Sequence, residues 1–304
     1  MDAPDQTPVV KTDAVQPQPR RGELLIRVCA AGVIPTELSW YPTSHRQTGE
    51  ARIGAVLGHE FSGVVAAVGE DVGILEIGCD VFGMNDWFSD GAMADYCLAP
   101  FFAVADKPRR LSHVEAASVP ISALTAWQGL FDRAKLQSGE RILVHGGAGA
   151  VGVFAIQLAR LHGAHVIATA SAHNMEFVAG LGAELVIDYQ ASRFEERVHD
   201  VDVIFDTVGG ETLERSWSIL RPRGRLVTVA SMAEGASDPR VKDAFFIVEP
   251  NQKQLVEIGN LLDAGRLRTV VDAVIPLSRA PEAFAGKVPR QHRGKVVVAV
   301  AATD

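Results

Sequence analysis

Val144-His145-Gly146-Gly147-Ala148-Gly149-Ala150-Val151-Gly152 decides the fold of this chain. It lies between an apolar run at 141–144, read as a strand, and an apolar run at 153–161, read as a helix. Strand, glycine turn and helix start, in that order, are the setting of a dinucleotide fingerprint, and Gly147, Gly149 and Gly152 fit G-x-G-x-x-G. In that pattern the first glycine permits the turn. The second lets a pyrophosphate approach the backbone, and the third lets the helix pack close to the strand. Gly147, Ala148, Gly149, Ala150, Val151 and Gly152 are therefore the candidate cofactor loop, with the free N–H groups and positive dipole end of the helix facing the phosphates. An ordinary βα turn is the plainer reading of the same residues.

Outward from that turn, strands alternate with helices. Strands are predicted at 165–169, 185–188, 201–206 and 225–230, and helices at 174–181 and 211–220. This spacing implies a parallel sheet with helices on both faces, an α/β doubly wound Rossmann arrangement. A further helix is predicted at 255–262 and strands at 270–275 and 295–300. Upstream, residues 22–108 read as β-rich, with strands at 24–28 and 62–68 and frequent glycines. Ser112 caps an alanine-rich helical stretch, and a second helix follows through 125–134, interrupted around Pro120.

A length of 304 residues predicts two domains, and an apolar fraction of 47% is ample for their cores. The net charge of -8, without a long basic block, argues against a nucleic-acid partner. Cys29, Cys79 and Cys97 are widely spaced and offer neither a disulfide framework nor a C-x-x-C metal knuckle. The first 22 residues are polar and proline-rich, and no membrane-length apolar run occurs elsewhere. A soluble protein in a reducing, cytoplasmic setting is expected.

The second strand indicates which cofactor. In such domains an acidic residue at its end binds the adenosine ribose hydroxyls of NAD. Here the strand ends Ala168-Thr169-Ala170-Ser171, with no Asp or Glu. Ser171, His173 and Asn174 are neutral donors able to hydrogen-bond a 2′-phosphate, so NADPH is favoured over NADH. No arginine lies nearby in sequence, and serine and asparagine also serve as plain helix caps.

Further segments carry a family resemblance. Gly32-Val33-Ile34-Pro35, Gly58-His59-Glu60-Phe61-Ser62-Gly63-Val64-Val65 and Leu124-Thr125-Ala126-Trp127 occur in that order. Leu181-Gly182-Ala183, Ile187-Asp188-Tyr189, Asp206-Thr207-Val208-Gly209-Gly210 and Arg293-Gly294-Lys295-Val296-Val297 follow. Together they resemble the medium-chain dehydrogenase/reductase superfamily, and within it the zinc-independent quinone oxidoreductase branch, over nearly all of residues 22–300. The resemblance implies a GroES-like β-barrel catalytic domain (1–108 with 266–304) and a Rossmann domain (109–265), with the cofactor cleft between them. It also implies a homodimer through edge-to-edge extension of the Rossmann sheet.

The resemblance also bears on zinc. Metal-dependent members use a cysteine near the first motif, the histidine of Gly-His-Glu and a further cysteine. Here those positions fall at Ile34, His59 and near Ser122. One histidine does not make a three-ligand zinc site, so no metal is expected, and His59 is expected to be hydrogen-bonded next to Glu60 at the cleft floor. Hydride transfer to a quinone or α,β-unsaturated carbonyl is the chemistry that remains, with the cofactor supplying hydride and the protein supplying position and exclusion of water.

The site expectations follow. Tyr41 is the candidate donor to the developing oxyanion, with a packing aromatic beside Trp40 as the alternative. Thr125 is expected to line the nicotinamide pocket, or else to bond its own helix backbone. Tyr189 would flank the adenosine phosphate side. Val208 and Ser231 would approach the cofactor at strand ends, and Phe246 and Val248 would lie along the nicotinamide. Strand-end or core packing is the alternative for each of these. Chains with this resemblance usually begin with an extra strand or two; here Gly22-Glu23-Leu24-Leu25 comes early, which implies an absent hairpin or a start assigned late. Two other functions fit the sequence: a metal-dependent alcohol dehydrogenase with atypical ligands, and a non-catalytic NADP(H)-binding redox sensor.

Overall fold

Apolar runs in the first hundred residues pair as antiparallel strands. The computed structural model describes residues 8–73 and 75–300. Among these, the first sheet begins with β1 (Glu23–Gly32), β2 (Glu60–Val68), β3 (Asp80–Met84), β4 (Tyr96–Pro100) and β5 (Val104–Asp106). β1 pairs with both β2 and β4, β2 with β3, and β3 with β5, all antiparallel. Ile26, Val28, Phe61, Val65, Val81 and Val104 share one buried cluster. Residues 8–22 carry no strand.

The second sheet holds β6 (Arg141–His145), β7 (His165–Ala170), β8 (Leu185–Asp188), β9 (Val201–Asp206) and β10 (Leu220–Thr228), in the order β10-β9-β6-β7-β8, all parallel. Successive side chains of these strands enter opposite cores, as period-2 geometry requires. Ile142, Val144, Val203 and Phe205 face a cluster shared with Val153, Phe154 and Ile156 of helix Ala150–Leu161. Leu143, Ile167 and Ile204 face a separate cluster with Leu213 and Ile219. Each fully buried aliphatic or phenyl side chain contributes roughly 1.5–3 kcal/mol, so the sheet is held from both faces. This is the doubly wound α/β architecture that the alternating pattern predicts.

The last two strands return to the first sheet. β12 (Lys295–Ala299) pairs antiparallel with β1, and β11 (Val271–Pro276) lies parallel outside β12. The path of that sheet is β11-β12-β1-β2-β3-β5, with β4 also on β1.

Two helical expectations need correction. The break expected around Pro120 is present, between His113–Ala117 and Pro120–Trp127, but the second helix opens at Pro120 rather than at 125, because at the first helical position the missing N–H of proline has no intrahelical role. The continuation, Gln128–Arg133, is a π turn. The helix predicted at 211–220 ends at Ser216, and Leu220 already belongs to β10. Ser112 caps as expected: its hydroxyl accepts from the Glu115 N–H at 3.2 Å, and the Glu115 carboxylate accepts from the Ser112 N–H at 2.9 Å. No described helix is long and apolar enough to cross a membrane.

Candidate active site

The glycine turn forms as β6 ends, but its glycines divide the work differently from the expectation. Gly146, not Gly147, takes the left-handed conformation, with φ +75°. A Cβ on Gly147 would press on Ala168, Ile156 and Val178 at 3.1–3.2 Å, so that residue is small because strand and helices converge on it. Gly152 packs the helix against the turn, where a Cβ would strike the Gly146 carbonyl. Gly149 caps helix Ala150–Leu161 with extended backbone and meets only the Gly146 carbonyl, at 3.3 Å. Gly149, Ala150 and Val151 line a cleft of about 930 Å³; Gly147, Ala148 and Gly152 do not. The cradle therefore fits a pyrophosphate at Gly149, open to the cleft and at a helix N-terminus.

A buried network holds the turn from below. His145 is fully buried, with Nε2 3.0 Å from the Ser216 hydroxyl and Nδ1 3.2 Å from the Thr169 hydroxyl. The Ser216 hydroxyl donates to the Thr212 carbonyl, and the Thr169 hydroxyl accepts from the Gly146 N–H. The tautomer with hydrogen on Nε2 satisfies every member. Burial drives the His145 pKa down to about 4, keeping the ring neutral.

The next strand ends supply one wall. Asp206, buried at the end of β9, accepts from the Val208 and Gly209 N–H groups and from the Thr228 hydroxyl. This folds 206–209 into a tight loop that turns Val208 into the cleft, beside Ser231. The 245–248 segment follows, tied to β10 by a parallel bridge between Thr228 and Phe245. Gln128, in the π turn, accepts from the Glu249 N–H at 2.9 Å and donates to the Glu249 carbonyl at 2.8 Å. Phe246 and Val248 are buried by this arrangement and line the cleft.

The segments that follow β1 and β3 supply the opposite wall: Val33, Ile34, Trp40, Tyr41 and Trp87. Tyr41 is 53% exposed, and its ring stacks on His45 with centroids 4.5 Å apart, which places it at the rim. Thr125 lines the cleft, but its hydroxyl donates to the Ile121 carbonyl at 2.6 Å, so its proton is committed to the helix. Ser122, one turn earlier, also lines the cleft. Trp40 and Trp87 pack edge to face at 5.2 Å.

Behind the tryptophans lies an acid–imidazole pair. His59 Nδ1 is 2.8 Å from Glu37 Oε1, which also accepts from the Gly58 N–H; both side chains are buried. His59 is hydrogen-bonded as expected. The adjacent Glu60 carboxylate points elsewhere, to Lys295 and the Ile121 N–H. His59 Nε2 and Glu37 Oε2 have no hydrogen-bond partner in the protein. Among the described residues no three His, Cys, Asp or Glu side chains are grouped to hold a metal ion.

The end of β7, where the adenosine is expected, carries a residue that sequence reasoning missed. The run Arg293-Gly294-Lys295 docks on the fingerprint turn: the Gly294 N–H donates to the Ala148 carbonyl at 2.8 Å, and Gly294 bridges Gly149. Arg293 thereby reaches the end of β7. Its Nε donates to Asn174 Oδ1 at 2.7 Å, and a terminal nitrogen donates to the His173 carbonyl at 3.1 Å. Asn174 is buried and engaged with Arg293 and the His292 carbonyl, so it holds the arginine rather than presenting a free amide. Ser171 is half-buried, and the next strand brings Tyr189 beside it through a Tyr189 N–H bond to the Ala170 carbonyl. Ser171, Asn174 and Tyr189 thus sit together with Arg293, away from the main cleft. The only signal in the sequence was the basic Arg293-Gly294-Lys295 run itself, 120 residues downstream.

Comparison with known proteins agrees with this geometry. Residues 20–109 match the family model "Alcohol dehydrogenase GroES-like domain", and residues 181–298 match "Zinc-binding dehydrogenase". A relative from Danio rerio, the mitochondrial NAD(P)H oxidoreductase RTN4IP1, is 30% identical over 91% of this chain and 84% of its own length. A chloroplastic NADPH-dependent alkenal/one oxidoreductase of Arabidopsis thaliana is 31% identical over 95% of this chain and 75% of its own. The solved quinone oxidoreductase of Coxiella burnetii superimposes with a TM-score of 0.84 at 31% identity, covering 95% of this chain and 94% of that one.

Proposed function

The chain belongs to the quinone oxidoreductase branch of the medium-chain dehydrogenase/reductase superfamily, and from that premise we propose that it is an NADPH-dependent, zinc-independent reductase of quinones or α,β-unsaturated carbonyls. One observation carries the reading: the fingerprint turn at Gly149–Val151 and the tryptophan-lined wall that follows β1 and β3 open into the same apolar cleft. Such a cleft takes a planar, conjugated acceptor against a nicotinamide ring.

When bound, the nicotinamide supplies the hydride. The chain's own residues bind and orient. Gly149 and the helix N-terminus receive the pyrophosphate, Val208 and Ser231 flank the ribose, and Phe246 and Val248 back the ring. Arg293, held by Asn174, supplies the positive charge for a 2′-phosphate beside Ser171 and Tyr189. Trp40, Trp87 and Ile34 exclude water from the acceptor. Zinc independence is supported by the ligand positions: Ile34 cannot ligate and Ser122 is a poor ligand, and one histidine does not make a three-ligand zinc site. The reading includes a cytoplasmic, reducing setting, supported by three cysteines that are all free. It also includes a homodimer through β10, an edge of the parallel sheet.

NADPH oxidation by chelator-treated protein, with NADH in parallel, tests the reading against a panel of quinones and enones. NADPH-preferring turnover that survives chelation supports it. Loss of turnover on chelation, or none with any acceptor, overturns it.

A further inference from the structure

Three buried polar side chains line the cleft: Ser122, Thr125 and Lys295. Two are already engaged. Thr125 donates its proton to the Ile121 carbonyl, and Lys295 is paired with Glu60. The Ser122 hydroxyl, on a residue only 1% exposed, has no partner in the protein. A buried hydroxyl without a partner is disfavoured unless something else satisfies it, so such groups concentrate where a ligand does so. A helical serine commonly bonds a carbonyl three or four residues back, as Ser118, at the end of the preceding helix, does with the Glu115 carbonyl. Ser122 does not.

We propose that the Ser122 hydroxyl is a catalytic residue: the hydrogen-bond donor to the carbonyl oxygen of the acceptor, where negative charge develops during hydride transfer. The proposal rests on the reductase reading and deepens it by naming the group that recognises the substrate carbonyl. Hydride adds to the β-carbon and forms the new C–H bond. The carbon–carbon π pair moves to the α-carbon and carbonyl carbon, and the carbonyl π pair moves to oxygen. The acceptor is reduced by two electrons and the nicotinamide oxidised by two. Ser122 donates a hydrogen bond to the resulting oxyanion and keeps its proton, and water supplies the proton that finally reaches the α-carbon. A donor preorganised in an apolar, buried setting is effective because it is already oriented when the charge appears. Tyr41, at the exposed rim, lacks that setting.

Ser122→Ala tests this by removing one oxygen without adding bulk. The expected result with an enone acceptor is a fall in kcat/KM on the order of 100-fold. NADPH affinity, read by fluorescence titration, should stay unchanged, and the thermal midpoint of the unliganded protein should be unchanged or raised because an unsatisfied buried hydroxyl is gone. Equal kcat/KM in wild type and variant overturns the role of Ser122 and leaves the reductase reading standing. A fall in kcat/KM accompanied by a fall in thermal midpoint marks the hydroxyl as structural and also overturns it. Wild-type protein that binds NADPH yet reduces no enone or quinone overturns the reductase reading, and the Ser122 role with it.

Discussion

Glu60 of β2 and Lys295 of β12, 235 residues apart, form an ion pair buried on both sides at the edge of the cleft. The second Glu60 oxygen accepts from the Ile121 N–H at 3.0 Å, at the start of the helix that carries Ser122 and Thr125. Burial pushes the Glu60 carboxyl above its ordinary range, opposed by the Lys295 charge and the hydrogen bonds it accepts. The pair thus joins the returning C-terminal strand, the first sheet and the cleft helix.

Removing one partner leaves a charge without compensation. Lys295→Met is expected to lower unfolding free energy by about 3–5 kcal/mol, whereas Glu60→Leu with Lys295→Met together loses far less than the sum of the two single variants. Urea denaturation of the three variants checks this; additive losses would show that the two side chains do not act as a pair.

Acid sensitivity should centre on His145. Its pKa is about 4 in the folded chain against an ordinary 6.5, so between those values the unfolded chain binds a proton that the folded chain does not. The stability that the neutral ring confers is fully present above pH 6.5 and is lost as pH falls toward 4, reaching about 3 kcal/mol. Denaturation midpoints of wild type and His145→Asn, followed from pH 7.5 to 4.5, should converge toward acid. Parallel curves would assign the acid loss to other groups.

Cofactor choice should follow Arg293. Arg293→Gln removes the guanidinium held by Asn174, and NADPH affinity should fall roughly 10- to 100-fold while NADH affinity changes little. Ser171→Asp should act in the same direction by setting like charge against the 2′-phosphate. Equal loss for both cofactors in either variant would place these residues outside the phosphate site.

Two glycines of the fingerprint should separate binding from folding. Gly149→Val points a side chain into the cleft from backbone that any residue adopts, so dinucleotide binding should vanish while the thermal midpoint holds. Gly152→Val drives a side chain into the Gly146 carbonyl and should unfold or severely destabilise the chain. Calorimetry and NADPH titration of both variants give the comparison; a folded Gly149→Val that binds normally would remove that glycine from the pyrophosphate site.

Much of the second half was legible because its signals are local. Alternating strand and helix runs, the glycine turn and the Ser112 cap depend on residues close in sequence, and each forms in the expected order, with bounds shifted at 211–220. The reach of single side chains was less legible. Tyr41 reads as a donor beside the first motif, yet it stacks on His45 at the rim. Thr125 reads as a pocket residue, and is one, but with its proton spent on its own helix. Asn174 reads as a phosphate donor and instead holds an arginine.

What the sequence by itself determined is the periodicity: two sheets of different character, and a fingerprint turn between strand and helix. Only the tertiary structure decided which groups meet. The chain leaves the parallel sheet and β12 pairs with β1, and that return carries Arg293 to the end of β7, Gly294 onto the fingerprint turn and Lys295 to Glu60. Local propensity cannot encode such meetings, because they arise from the closure of long loops and from burial that admits a charge or a hydroxyl only where its partner is already in place.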